Sequence, residues 1–307
     1  MTAIDKAPIS YPGARVPDRQ RSVEAQGVRL AVYEWGDADA SPLLLAHGGF
    51  DFARTFDVFA PLLADAGYRV VSWDHRGHGN SEHAELYSWQ ADERDLLAVA
   101  NSVSPGPFPV VGHSKGGSML AHIIQALPHR FSRFASVDGL PFRQTPPDVA
   151  NRERTAKLRE KVVKWLDERR RAHDMSRRPG SPEELAERRA AMNPRLSREW
   201  LKYIVYAGAQ QSHDGWRWKL DPSLRMGGFG PWRSRWVTDR LPGFPIPLLG
   251  LFGTENEPMG WGVDPQALRK YLPRTARIEV LQDVGHFIHI ERPEQTAQLV
   301  LEFLQND

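Results

Sequence analysis

Residues 108–117 constrain the fold of this 307-residue chain more than any other stretch. The apolar run Phe108-Pro109-Val110-Val111 passes into Gly112-His113-Ser114-Lys115-Gly116-Gly117, and a helical pattern then fills residues 116–126. A strand that turns into a helix within so few residues forces backbone angles that side chains resist, and glycines on both flanks relieve the crowding. The serine at the apex is lifted clear of the sheet, with a helix N-terminus beneath it to stabilise developing negative charge. G-x-S-x-G in this setting predicts a nucleophilic serine on a strand-to-helix turn.

The rest of the chain repeats that alternation. Residues 22–24 and 28–35 read as strands around a Gln26-Gly27 turn, and 42–46 as a buried strand entering His47-Gly48-Gly49. A helical pattern at 55–66 stops at Gly67, a strand follows at 68–73, and a helix covers 91–103. Residues 134–137, 247–252 and 278–281 complete the strands, and 293–304 reads as a closing amphipathic helix. Strand and helix in alternation predict an α/β fold: a mostly parallel, twisted sheet with helices on both faces. Residues 141–243 break the pattern with an Arg-rich helical run (151–171) and a capped helix start at Ser181-Pro182-Glu183-Glu184. They predict a helical cap inserted between the sixth and seventh sheet strands. The expected division is an N-terminal extension (1–21), a core (22–140 and 244–307) and the cap (141–243).

Composition sharpens this. With no cysteine, disulfides, a thiolate nucleophile and a Cys-ligated metal are excluded. No apolar run approaches the ~20 residues of a membrane span, and the polar, Pro-containing first 21 residues lack a secretory signal's apolar stretch. A cytoplasmic protein without a membrane partner is expected, either monomer or homodimer. The net charge of +2 conceals an asymmetry, because residues 141–240 hold 23 Lys and Arg against 13 Asp and Glu. Such a surface is ordinarily solvated and laced with i,i+4 ion pairs, and no recognised nucleic-acid-binding module accompanies it.

Taken together the motifs resemble those of the α/β-hydrolase superfamily, over nearly the whole chain except the N-terminal tail and the details of the insertion. Besides the serine elbow, His47-Gly48-Gly49-Phe50 looks like the family's oxyanion loop, which implies that Gly49 N–H and Lys115 N–H receive a developing oxyanion. Asp74-His75-Arg76-Gly77-His78-Gly79-Asn80-Ser81 is similar to the D-x-R-G-x-G-x-S turn, read here as scaffold in which Asp74 and Arg76 tie the loop together. Gly285-His286-Phe287-Ile288-His289-Ile290-Glu291-Arg292-Pro293 resembles the late G-H-x-x-x-x-E-x-P segment. That implies His286 as the base acting on Ser114, whereas His289 lacks the preceding glycine.

The acid departs from the family pattern. It usually follows the seventh strand, three residues after a glycine, and Gly253-Thr254-Glu255-Asn256-Glu257 puts Asn256 there. An amide can hold an imidazole tautomer but cannot stabilise imidazolium by charge. Asp138, after the sixth strand, is the first expectation, because one group of haloalkane dehalogenases places its acid there; Glu257 and Glu255 are the alternatives.

A serine at the elbow argues against epoxide hydrolases and haloalkane dehalogenases, which use an aspartate, and for acyl transfer through an acyl-enzyme. No metal or organic cofactor is needed. The leading expectation is a carboxylic-ester or lactone hydrolase acting on a small to medium apolar molecule. A C–C bond or amide hydrolase, and a lyase, oxygenase or ligand-binding member of the fold, are the alternatives. Phe50, His113, Trp216 and Trp261 are expected to line the substrate pocket, while most of the cap's other aromatic residues build its own core.

Overall fold

The computed structural model describes residues 9–85, 87–140, 151–173, 176–226, 239–260 and 262–305. Strands β1 (Arg19–Glu24) and β2 (Arg29–Trp35) form an antiparallel hairpin. Gln26 and Gly27 turn it with φ of 46° and 91°, the pair of positive angles that a tight hairpin turn matching strand twist requires. Then come β3 (Ser41–Ala46), α1 (Phe59–Asp65), β4 (Tyr68–Trp73) and α2 (Trp89–Val103). They are followed by β5 (Phe108–His113), α3 (Lys115–Ala126) and β6 (Phe131–Val137).

After β6 the alternation stops, as the sequence predicts. Helices α4 (Asn151–His173), α5 (Pro182–Ala190) and α6 (Arg198–Gly208) precede a small hairpin, β7 (Ala209–Ser212) and β8 (Gly215–Trp218). The chain returns to the main sheet with β9 (Leu248–Gly253), α7 (Pro265–Arg269), β10 (Arg277–Leu281), α8 (Ile288–Glu291) and α9 (Pro293–Gln305).

Eight strands form one sheet in the order β1-β2-β4-β3-β5-β6-β9-β10. Pairing is antiparallel for β1 with β2 and β2 with β4, and parallel from β4 to β10. Alternate side chains leave the sheet on opposite faces, and β3 shows it. Leu44 and Ala46 join Leu96, Met119 and Leu120 on one side, while Leu43 and Leu45 join Phe59, Leu63 and Val300 on the other. A third cluster belongs to the insertion, where Leu185, Trp200, Leu201 and Ile204 pack with Phe52 and Phe287 of the core. The cap therefore shares a hydrophobic interior with the loops above the sheet.

Three details differ from the sequence reading. β1 begins at Arg19, so the expected extension of residues 1–21 overlaps the sheet. Residues before it are tied down too: Arg15 N–H donates to Asp57 O at 2.8 Å, and Trp35 Nε1–H to Arg15 O at 3.0 Å. The cap is not wholly helical, because His213-Asp214 turns the β7–β8 hairpin, with Gly215 at the start of β8 at φ 128°. The parts of the expected cap at 141–150, 174–175 and 227–238 lie outside the described residues, as do residues 1–8 of the expected extension.

Candidate active site

The turn at Ser114 has the geometry its glycines predict. Ser114 holds φ 50° and ψ −120°, a strained combination for a residue with a side chain. A Cβ at Gly112 would come within 2.6 Å of Gly117 Cα, and one at Gly116 would run into the Ala46 carbonyl. Ser114 N–H donates to Val137 O at 3.2 Å, which fastens the elbow to the end of β6. Ser114 is 8% exposed.

The loop after β3 lies against this elbow. A Cβ on Gly48 would sit 2.9 Å from His113 Nδ1 and 3.2 Å from Ser114 Cβ, so the close approach depends on glycine. Gly49 is adjacent to Lys115, whose Cδ would lie 3.7 Å from a Cβ at Gly49. Phe50 N–H donates to His78 Nε2 at 3.2 Å, and Ser114 N–H is committed to Val137, so neither is an oxyanion donor. The structure thus brings the two expected donors, Gly49 and Lys115, side by side. The Lys115 ammonium reaches away to Asp92 Oδ2 at 2.6 Å and lies over the Trp89 ring.

Beneath this loop three histidine rings cluster. His47 Nδ1–H donates to the Gly48 carbonyl at 2.7 Å, and its Nε2 accepts His75 N–H at 3.0 Å. The His47 and His75 rings stack with centroids 3.7 Å apart. Burial holds His47 and His75 well below the ordinary histidine range and pushes His78 down to about 3, so all three are neutral. Neutral rings can be packed this closely without charge repulsion.

Asp74 and Arg76 brace their loop through separate partners. The Asp74 carboxylate accepts from Ala53 N–H (2.8 Å), Asn80 N–H (2.7 Å) and Tyr33 OH (3.0 Å). Arg76 forms a two-pronged pair with Asp95, at 2.7 and 2.6 Å. The two residues fix the loop to β2, to the loop before α1 and to α2 rather than to each other.

His286 follows β10 and is 2% exposed. Its Nδ1 lies 2.5 Å from Asp138 Oδ2, its N–H donates to Glu257 Oε2 at 2.6 Å, and its carbonyl accepts His113 Nε2–H at 3.0 Å. A carboxylate on Nδ1 holds the proton there and leaves Nε2 as the basic nitrogen. Asp138 sits at φ 43° with its N–H on Leu251 O at 2.8 Å, which turns it off the end of β6.

Of the acid candidates, only Asp138 meets the imidazole. Glu257 is buried against the His286 backbone; burial pushes its carboxyl above the usual range, and the His286 N–H partly offsets this. Glu255 is exposed and accepts from Thr254 Oγ1, and Asn256 is exposed as well. His289 packs among Phe56, Phe59 and His113, with both ring nitrogens lacking a hydrogen-bond partner among the described residues.

The expected pocket residues divide. Phe50, 39% exposed with φ 60°, lines a cavity of about 200 Å³ together with Gly49, Tyr87, Trp89, Lys115 and Leu224. His113 is buried and supports the His286 backbone instead of facing a cavity. Trp216 packs edge-on against Tyr206 and against the third cluster, and it does not line the cavity beside Phe50. Trp261 lies outside the described residues.

Arg189, Asp51 and Arg195 were not singled out by sequence. Arg189 of α5 donates to Phe50 O at 2.9 Å and pairs with Asp51 at 3.4 Å. Arg195 donates to Glu291 at 2.8 Å and to Asp283 O at 2.6 Å, and Glu291 also accepts Gly285 N–H at 2.9 Å. Asp51 directly follows the glycine loop, which is a usable signal; the arginines are hidden in an Arg-rich stretch.

Comparison with known proteins agrees with this architecture. A family model described as the alpha/beta hydrolase fold matches residues 41–293. Epoxide hydrolase A of Mycobacterium tuberculosis is 36% identical over 140 residues, 44% of each chain. The chain spans less than half the length of the relatives it matches above 30% identity. The mouse sn-1-specific diacylglycerol lipase ABHD11 is 25% identical over 290 residues, covering 88% of this chain and 82% of that one. Among solved structures, the thioesterase domain from the curacin biosynthetic pathway superposes with a TM-score of 0.77 at 23% identity, over 92% of this chain and 99% of its own. The strand order, the serine elbow and the family match agree, and the chain belongs to the α/β-hydrolase fold family.

Proposed function

We propose that this chain is a serine hydrolase that cleaves a carboxylic ester or lactone of a small to medium apolar molecule through an acyl-enzyme on Ser114. The observation that carries the reading is the 2.5 Å contact of His286 Nδ1 with Asp138 Oδ2, on a histidine almost wholly shielded from water. Ser114 Oγ attacks the carbonyl carbon while His286 Nε2 takes its proton, and Asp138 stabilises the resulting imidazolium. The carbonyl oxygen becomes an oxyanion held by the N–H groups of Gly49 and Lys115. His286 then gives the proton to the leaving alkoxide, and the acyl group stays on Ser114. Water attacks that ester with His286 as base, which releases the carboxylic acid and restores the serine.

The cavity beside Gly49 and Lys115 supports an apolar substrate of limited size. Phe50, Trp89 and Leu224 give it apolar walls beside the polar groups of His78, Tyr87 and Ser88, and the Lys115 charge is neutralised by Asp92. The epoxide hydrolase relative suggests a different bond, yet a serine oxygen opening an epoxide would leave an alkyl ether. An ether has no carbonyl for water to attack, so such an enzyme would not turn over, whereas acylation gives a hydrolysable ester.

Hydrolysis of p-nitrophenyl esters across acyl lengths tests the proposal. Turnover that is highest for short acyl chains and abolished by Ser114→Ala is the expected result. Wild type without turnover on any ester, or Ser114→Ala with undiminished turnover, would overturn it.

A further inference from the structure

We infer that Arg189 and Arg195 of the cap are positioning residues for the catalytic apparatus, one holding the oxyanion loop and the other holding the histidine loop. The inference rests on the serine-hydrolase reading above and adds to it a role for the cap in the chemistry itself.

The sheet order places the two loops. β5, which carries Ser114, has β3 on one side and β6, β9 and β10 on the other. The loop after β3 and the loop after β10 therefore flank the serine. The cap segment from the end of α5 to the start of α6 touches both, through arginines only six positions apart.

At the first loop, Arg189 Nη1 donates to Phe50 O at 2.9 Å, and Nη2 lies 3.4 Å from Asp51 Oδ1. The other side of Phe50 is fixed by its N–H on His78 Nε2. Phe50 sits at φ 60°, a conformation that its surroundings must impose. Holding it at both ends fixes the peptide next to Gly49, whose N–H is the proposed oxyanion donor. Asp51 is buried and Arg189 largely so, and such a pair that loses one partner leaves an uncompensated charge.

At the second loop, Arg195 Nη2 donates to Asp283 O at 2.6 Å and Nε to Glu291 Oε2 at 2.8 Å, while Glu291 Oε1 receives Gly285 N–H at 2.9 Å. Asp283 is at φ 56°. Residues 283–285 are thereby gripped immediately before His286. A Cβ at Gly285 would lie 2.7 Å from Arg195 Cδ, so the glycine that precedes the base also makes room for the cap arginine. Neither arginine is paired only within the cap, unlike Arg198, whose partner Glu187 is on α5.

The account requires that the cap hold the donors and the base in register, so that loss of either arginine slows bond formation at Ser114 without removing a substrate contact. A misplacement of about 1 Å can cost about 100-fold. The test is the rate at which a fluorophosphonate labels Ser114, read by intact mass, in wild type, Arg189→Met, Arg189→Lys, Arg195→Met, Arg195→Lys and Arg198→Gln. All are assayed below their own melting temperatures, with kcat and KM measured on one p-nitrophenyl ester. Expected are labelling slowed about 10- to 100-fold in the two methionine variants, kcat lowered with KM little changed, partial recovery in the two lysine variants, and an unchanged Arg198→Gln. Should a methionine variant not fold, the lysine variant at the same position, Arg189→Lys or Arg195→Lys, carries the test, since a lysine cannot grip both partners of either arginine with a planar fork. Folded variants that label at the wild-type rate would overturn the inference and leave the serine-hydrolase reading standing. A wild type that does not label at all would overturn both.

Discussion

Asp138 Oδ2 lies 2.5 Å from His286 Nδ1 although 148 positions separate the two residues along the chain. The contact follows from β6, β9 and β10 running parallel side by side, which puts the C-terminal ends of the first and last on the same side of the molecule. Asp138→Asn is expected to lower kcat by about 10⁴ with little change in KM, because the amide cannot stabilise imidazolium. Steady-state kinetics on a turned-over ester measure this, and a loss under about tenfold would contradict the assignment. Asn256→Asp should not restore the lost activity, since residue 256 faces solvent.

Glu257 binds the backbone of His286 rather than its ring. Glu257→Gln keeps an oxygen to accept His286 N–H and should leave kcat within a few-fold of wild type. Glu257→Ala strands that buried N–H, which costs about 1–3 kcal/mol, and it should lower both the melting temperature and kcat. Equal kinetic losses in the two variants would point to a catalytic role for the Glu257 charge instead.

In the proposed mechanism Lys115 contributes its N–H and not its ammonium. Lys115→Ala preserves the backbone donor and should retain most of the ester turnover. The same change leaves the buried Asp92 without its cation, so denaturant unfolding should show a stability loss of up to about 3 kcal/mol. Activity reduced by orders of magnitude in a folded Lys115→Ala protein would show that the ammonium takes part in the reaction.

Asp57 makes stability depend on pH. It is fully buried, with Oδ2 held by Arg54 at 2.7 Å and by Tyr203 OH at 2.5 Å. Burial, together with the Asp74 charge and only partly offset by Arg54 and Tyr203, pushes its pKa up to about 6 from 3.8. The folded state thus binds this proton more tightly than the unfolded chain. The associated stability is fully present below the unfolded pKa and is lost as pH rises through about 6. Wild type should therefore gain stability relative to Asp57→Asn as pH falls from about 7 to about 4.5. Denaturant titrations of both proteins across that range measure the difference, and one that does not change with pH would contradict the shift.

Much of the core was legible because its signals are backbone requirements. Gly112, Gly116 and Gly117 leave no room for a Cβ, and Gln26-Gly27 takes the positive φ angles a tight hairpin needs. Residues like these announce a conformation whatever lies around them. The candidate acid was less legible, since Asp138, Glu255 and Glu257 are all carboxylates near strand ends, and only the sheet order and loop path decide which one meets the imidazole. The β7–β8 hairpin escaped notice although Asp214-Gly215 is a hairpin turn signal, because its strands are four residues each and sit beside helices. Arg189 and Arg195 gave no local sign at all: Asp51 and Glu291 lie beside or within legible motifs, but only tertiary structure brings the two arginines to them.

The central claim is that Ser114 becomes acylated, and the most direct measurement is intact-protein and peptide mass spectrometry on a reaction with a p-nitrophenyl ester quenched early by acid. Wild type should carry one acyl group on the peptide containing Ser114, accumulating further in Asp138→Asn if deacylation is slowed more than acylation, and Ser114→Ala should carry none there. An ester hydrolysed by wild type with no acyl group trapped on Ser114 under any quench, or an acyl group found on another residue, would contradict the account.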